Sequence, residues 1–246
     1  MVTLCLDFGN SRLKAAVFVN EKISEEFFLD NDSDSTLLTV LKKYNPQRSI
    51  LSSVIDHNAT IEILLQQRTQ FHKISVNTKL PFTIASSKKE TIGADRMALI
   101  AAAVHYYPGR NNLIIGLGSC ITYNFVNQYH HFLGGSISPG MDMRFRAMHH
   151  FTAKLPLIEN APAETGFPLV GYDTISNMQS GVIMGTCCEL DGIIKKYSER
   201  YSNFNVVLTG GNSAYFASQL KYGIFADSIF LFKGLYALSE LNNCGD

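Results

Sequence analysis

The chain has 246 residues, with 21 Lys and Arg balanced by 21 Asp and Glu, so its net charge is zero and its pI is near 7.0. No overall field draws polyanions to it, and nucleic acid is not an expected partner. Apolar residues make up 46% and charged residues 17%, which excludes dominant disorder and provides core for one large domain or two modest ones.

The longest purely apolar run, Met97 to Val104, is eight residues, far short of the ~20 that a membrane-spanning helix needs. The opening Met-Val-Thr-Leu-Cys-Leu shows no basic n-region, so a cytoplasmic place is expected and a membrane partner is not. The five cysteines contain no C-x-x-C pair and read as reduced thiols, mostly buried.

In chain order, Val2 to Leu6 reads as a strand running into a turn at Asp7-Phe-Gly-Asn-Ser11. Lys14 to Val19 returns as a second strand, Asn20-Glu21 turns, and Lys22 to Leu29 makes a third. Helix and strand patterns then alternate: helix 34–44, strand 49–54, helix 59–68, strand 71–76 and the apolar helix 94–107. The same order restarts with strands at 113–117, 121–126 and 130–133. Helices at 141–153 and 176–201 follow, then the strand 206–209, a short helix from Asn212 and a last helix from about Lys233. Two duplicated α/β domains of mixed sheets flanked by helices are expected, 1–111 and 112–246. The segments 77–92 and 155–173 are long enough to be functional loops, and Gly134 to Gly140 reads as a glycine-rich loop between a strand and a helix.

The first turn offers what a nucleotide's phosphate tail needs. Gly9 lets the backbone approach, Asn10 and Ser11 donate, Lys14 brings positive charge, and Asp7 holds a magnesium ion through water. Gly116-Leu-Gly118-Ser119-Cys-Ile-Thr122 stands at the matching place in the second half, so two such turns are expected to grip one triphosphate across a cleft. Gly210-Gly211 joins a strand to a helix where adenine or ribose would lie close to backbone. Gly93-Ala94-Asp95-Arg96 opens a helix. A carboxylate there serves as a cap, or as the acceptor of a hydroxyl proton in phosphoryl transfer, while Arg96 offers a fork to an acidic substrate. No Walker A, G-x-S-x-G or metal-spaced histidine pattern occurs.

Taken together, Asp7-Phe-Gly-Asn-Ser-Arg-Leu-Lys14, Gly93-Ala-Asp-Arg96, Gly118-Ser-Cys-Ile-Thr122, Gly134 to Gly140, Leu155-Pro156, Thr174 to Gly181 and Thr209-Gly-Gly211 resemble the type III pantothenate kinases over nearly the whole chain. The resemblance implies two RNase H-like domains of the actin-like ATPase fold. It also implies ATP- and magnesium-dependent phosphorylation of pantothenate at its 4′-hydroxyl, the first step of coenzyme A biosynthesis, in a homodimer with a shared active site. On that resemblance Asp7 binds magnesium and Asp95 accepts the proton. Gly93, Ala94, Asp95 and Arg96 line the pantothenate site, and Thr174 reaches pantothenate from the partner subunit. Gly9, Asn10, Ser11, Lys14, Gly118, Ser119, Gly210 and Gly211 contact ATP or its phosphates.

Two departures stand out. The family's second phosphate turn begins with an aspartate that holds a potassium or ammonium ion, where this chain has Gly116. Ahead of Gly93 the family has a tyrosine and a proline, where this chain reads Ala85-Ser-Ser-Lys-Lys-Glu90. They leave a second reading open, that of a catalytically impaired homologue which binds nucleotide or pantothenate as an accessory protein.

Overall fold

In the computed structural model, which describes residues 1–84, 89–159 and 169–243, the chain divides into two compact units. The first comprises Met1–Gly109, Gln128–Leu133 and Ile229–Asp246; the second comprises Arg110–Asn127 and Gly134–Ser228. The sequence reading puts the division at 111/112, with the C-terminal stretch in the second half. The C-terminal helix packs in the first unit, because the glycine at 234 lets it press onto the backbone of residue 98.

In the first unit, β1 (Val2–Phe8), β2 (Leu13–Val19) and β3 (Lys22–Leu29) form an antiparallel meander. The β2–β3 turn works because Asn20 and Glu21 both take positive φ, 47° and 69°, as a two-residue hairpin turn of this hand requires. Helix α1 (Asp34–Tyr44) is capped by Ser33 and stopped by Asn45 in the left-handed region. After it, β4 (Arg48–Ser53) joins β1 in parallel, α2 (Thr60–Arg68) crosses, and β5 (Gln70–Lys73) joins β4, for a sheet order of β3-β2-β1-β4-β5. One sheet face, with Leu4, Leu6, Phe8, Ala15, Val17 and Leu51, builds a core with Leu37, Leu41, Ile61 and Leu65 of α1 and α2. A short strand β6 (Thr83–Ile84) pairs in parallel with His131 and Phe132.

Helix α3 (Ala94–Tyr106) buries every residue from Met97 to Val104, so it is covered on all sides rather than on one stripe. Its close neighbour is the C-terminal helix α7 (Phe230–Asn242), which also packs on β1 and β4. A Cβ on Gly234 would overlap the carbonyl of Ala98, so only glycine permits this approach. Phe18 of β2 stacks on Tyr236 of α7 at 4.7 Å, which places α7 over the sheet face opposite α1 and α2.

The second unit repeats the plan. Strands β7 (Asn111–Leu117) and β8 (Cys120–Val126) form a hairpin, β9 (His131–Pro139) lies beside β8, and β10 (Phe204–Thr209) joins β7 in parallel, followed by β11 (Phe225–Ala226). Read outward from β9, the order β9-β8-β7-β10-β11 matches β3-β2-β1-β4-β5, so the expected duplication is present in the topology. The core here packs Leu113, Ile115, Tyr123, Phe125 and Leu208 under helices α4 (Met141–His150) and α5 (Thr174–Arg200). Arg144 of α4 pairs with Glu189 of α5, which also accepts from the hydroxyls of Ser138 and Tyr123, tying both helices to the end of β9. A one-turn helix α6 (Ser213–Ala217) follows the Gly210-Gly211 turn.

The expected loop Gly134 to Gly140 is a correction: residues 134 to 139 continue β9 as extended strand. Glycine is needed there for two different reasons: Gly134 takes φ of +108°, a conformation that favours glycine, and a Cβ on Gly135 would overlap the carbonyl of Tyr123 on the adjacent strand. Smaller differences are that Asp7 and Phe8 end strand β1 instead of opening the turn, and that α4 stops at His150. Cys5 and Cys187 are buried as expected, Cys120 is half-buried and Cys188 is exposed; Cys244 lies outside the described residues. Among the described residues no helix is long and apolar enough to cross a membrane.

Candidate active site

In the first unit, strand register assembles the site before any side chain is considered. Asp7 at the end of β1 lies directly across from Lys14 on β2 and from Ser52 on β4. Directly paired residues share a sheet face, so the three stand in a row on the face that α7 covers. The Ser52 hydroxyl donates to Asp7 Oδ1 at 3.3 Å, and Asp7 is only 8% exposed. Beyond Asp7 the hairpin tightens through the Gly9 amide, which donates to the Arg12 carbonyl at 3.2 Å, and Asn10 and Ser11 stand exposed at its tip.

The second carboxylate, Asp95, sits in the first turn of α3, after Gly93 at the N-cap. Gly93 is the N-cap and no side chain caps the helix, so Asp95 is not the cap expected of an aspartate here; the backbone amides of Arg96 and of Asp95 itself face its carboxylate. Gly93 makes room for it: a Cβ on that residue would stand 2.5 Å from Asp95 Oδ1. Burial raises the Asp95 pKa above the ordinary carboxylate value, against the opposing pull of the Arg96 amide, the Arg96 charge and its own amide. Arg96 lies 5.8 Å from the Phe132 ring centroid, a cation–π contact that fixes its guanidinium beside the motif.

The two carboxylates interact. Burial, and then the charge of Asp95, push the Asp7 pKa from 3.8 up to about 6, while Lys14 and the Ser52 bond pull the other way. A buried acid whose pKa is raised further by the charge of a second carboxylate marks a spot that favours a cation. Among the described residues no group of three or more His, Cys, Asp or Glu converges on one point. Asp7, with the Asp95 charge close enough to perturb it, is a donor set of the kind that magnesium takes, since that ion binds through one or two carboxylates with waters and substrate phosphates completing its shell.

In the second unit the turn 117–120 is clamped by glycines on two sides. Gly140 donates its amide to the Ser119 carbonyl at 3.1 Å, and a Cβ on it would overlap the Gly118 carbonyl. Gly210 takes φ of +97°, and a Cβ there would stand 2.5 Å from the Leu117 carbonyl, which accepts from the Asn212 amide at 3.3 Å. Gly118 is exposed, Ser119 half-buried, and the Gly211 Cα faces open space. Gly116 pairs directly with Thr122 on β8 and with Thr209 on β10.

The structure thus brings Asp7, Lys14, Asp95 and Arg96 into one unit with Gly9, Asn10, Ser11, Gly93 and Ala94, and brings Gly116, Gly118, Ser119, Gly210 and Gly211 into the other. Thr174, exposed at the first position of α5 after a capping box of Asp173 and Ser176, shares no unit with Gly93 to Arg96. Residues Ala85 to Lys88, where the loop ahead of Gly93 departs from its expected form, lie outside the described residues. Sequence reasoning missed Ser52 and the clamping role of Gly140. Ser52 is reachable only through the register of β4 on β1, since nothing in a short apolar strand singles out one serine.

A family model described as type III pantothenate kinase matches residues 3–196. A type III pantothenate kinase of Christiangramia forsetii is 40% identical over 243 residues, covering 98% of this chain and 99% of its own. One of Flavobacterium johnsoniae is 36% identical over 234 residues, covering 94% and 95%. In three dimensions the chain is similar to a glucokinase from an Antarctic psychrotroph, with a TM-score of 0.53 and 11% identity over 98% of this chain and 99% of that one. That likeness shows the fold alone: the two duplicated units have the actin-like ATPase and sugar-kinase architecture.

Proposed function

The chain belongs to the type III pantothenate kinase family, and on that premise we propose that it transfers the γ-phosphoryl group of ATP to the 4′-hydroxyl of pantothenate. The observation that carries this reading is that two buried carboxylates, Asp7 and Asp95, share one unit with Lys14 and Arg96, the Asp95 charge acting on Asp7 and Lys14 standing directly across from it. A phosphoryl transferase needs those four roles: a carboxylate facing the metal, a cation near the phosphates, a proton acceptor and a clamp for an acidic substrate.

In this reading the 4′-oxygen attacks the γ-phosphorus, the bond from that phosphorus to the β,γ-bridging oxygen breaks, and ADP leaves. The hydroxyl proton passes to the Asp95 carboxylate, held in place by the helix amides and the space that Gly93 leaves. Arg96 pairs with the pantothenate carboxylate, its planar fork matching two oxygens. Lys14 and the hairpin tip at Asn10 and Ser11 meet phosphate oxygens. Magnesium would be held by Asp7, directly or through water, and would supply charge neutralisation on the phosphates. Gly118, Ser119, Gly210 and Gly211 are the second unit's candidate nucleotide contacts.

We further propose a homodimer in the cytoplasm, in which Thr174 of one copy completes the pantothenate site of the other. The support is that Thr174 stands exposed on α5 beside Tyr172 and Ile175, 87% and 48% exposed. None of the comparisons favours the reading of an impaired accessory homologue. A coupled assay for ADP release from Mg·ATP, with and without pantothenate, tests the proposal. Release that requires pantothenate and yields phosphopantothenate supports it; nucleotide binding with no turnover would restore the accessory reading.

A further inference from the structure

Among the described residues one buried side-chain polar atom lacks a hydrogen-bond partner: the hydroxyl of Thr209, on a residue 3% exposed. Its place is informative. Thr209 is the direct cross-strand partner of Gly116, and on the other side Gly116 pairs with Thr122. The three positions form a row on one sheet face, and the middle one has no side chain. The Thr122 hydroxyl oxygen already accepts from the Asn124 amide at 3.3 Å, which leaves its proton to donate elsewhere. A buried hydroxyl left without a partner costs about 1–3 kcal/mol, so native proteins rarely keep one unless another group occupies the space. Two hydroxyl-bearing residues thus flank a position that carries no side chain.

The three strands that carry the row are neutral. Strands β7, β8 and β10, reading NNLIIGL, CITYNFV and FNVVLT, contain no charged residue. Four carbonyls of the adjoining turns already accept hydrogen bonds: Leu117 from the Asn212 amide, Ser119 from Gly140, Cys120 from Gly118, and Gly210 from the amide and hydroxyl of Ser213. A potassium or ammonium ion seeks several oxygen ligands, with an anionic one to offset the loss of its water. These strands offer hydroxyl donors and no anion, so the residues present do not fit the monovalent cation that the family resemblance implies.

We propose that this chain holds no monovalent cation at its second phosphate turn, and that the single missing carboxylate at Gly116 is the reason. The Thr122–Gly116–Thr209 row would receive an aspartate side chain at 116, with Thr209 donating to its carboxylate, and would acquire potassium binding with it. The inference deepens the kinase reading, because the same turn is the second unit's candidate phosphate contact. It stands apart from that reading in its test.

The experiment uses the purified full chain, its Gly116→Asp and Gly116→Asn variants, and Gly116→Asp combined with Thr209→Val. Thermal midpoints and ADP affinity are measured in potassium chloride and in tetramethylammonium chloride at equal ionic strength. The native chain and Gly116→Asn should show the same midpoint and ADP affinity in both salts. Gly116→Asp should gain several degrees and bind ADP on the order of 10²-fold more tightly in potassium, a gain that Thr209→Val reduces. A native chain stabilised specifically by potassium would overturn the inference, as would a folded Gly116→Asp protein indifferent to the salt. If Gly116→Asp fails to fold, the native chain in the two salts still decides whether a cation binds. Midpoints without nucleotide settle the cation question even if ADP binds in neither salt, a result that would count against the kinase reading instead.

Discussion

Gly93 leaves open the space into which the Asp95 carboxylate folds, two residues further on: a Cβ at 93 would stand 2.5 Å from Asp95 Oδ1. The group that yields to an added methyl is the end of a side chain, not backbone. Gly93→Ala is therefore expected to keep the fold and its thermal midpoint within about 2 °C, while turning the carboxylate away from the transferred proton. Turnover should fall by about tenfold or more, with a smaller change in KM for ATP. Steady-state kinetics beside a melting curve check this; native turnover with a displaced midpoint would reverse the assignment of Gly93.

The Asp7 carboxyl makes stability fall as pH rises. Its folded pKa of about 6 lies above its ordinary 3.8, so between these values the folded chain binds more protons than the unfolded one. Ionising it costs folding up to about 3 kcal/mol, a cost absent below pH 3.8 and complete above about 6. Asp95 is raised too, and its contribution has the same sign. Asp7→Asn should remove much of this slope and stabilise the chain at pH 7, as read from denaturant titrations between pH 4 and 8, while turnover is lost. An unchanged slope would show that Asp7 is not the group responsible. In Asp95→Asn the Asp7 pKa should drop below its native value, because the neighbouring charge has gone.

Gly135 is a different kind of glycine from Gly93. The atoms in the way of a Cβ there are the backbone carbonyl of Tyr123 on the adjacent strand. Gly135→Ala must push β9 from β8, at a cost of about 1–3 kcal/mol or more, a fall in midpoint on the order of 5 °C. A calorimetric scan within 1 °C of native would contradict this.

Much of the architecture was legible in the residues. The apolar runs and the Asn20-Glu21 turn located the first meander, and the repeat from Asn112 located the second, because hydrophobic period and turn chemistry are local properties. Register is not local. Sequence reasoning had no means of placing Ser52 beside Asp7 or Thr209 beside Gly116, since each pairing joins strands separated by long stretches of chain. The Gly134 to Gly140 segment misled for a related reason: glycine marks both loops and strands that need close approach, and only the neighbouring carbonyl of Tyr123 distinguishes them. The C-terminal helix was expected from about Lys233 and begins at Phe230, and its packing partner was not foreseen, because its glycine at 234 says nothing by itself about which helix it will meet.

The dimer proposal concerns one exposed apolar stretch. Leu169, Val170 and Tyr172 are 76%, 77% and 87% exposed just before α5, which is more apolar surface than a short segment usually leaves to water. Light scattering at assay concentration should give the mass of two chains, and Val170→Lys with Tyr172→Lys should give monomers with raised KM for pantothenate. An active native monomer would refute the shared-site role of Thr174.

The central claim is that Asp95 takes the proton of the acceptor hydroxyl. Its most direct test is the turnover of Asp95→Asn against the native chain with Mg·ATP and pantothenate, after melting curves show that both are folded. Loss of one oriented carboxylate should lower kcat by roughly 10²-fold or more, with ATP still bound. Native-like turnover in the folded Asp95→Asn protein would contradict the account.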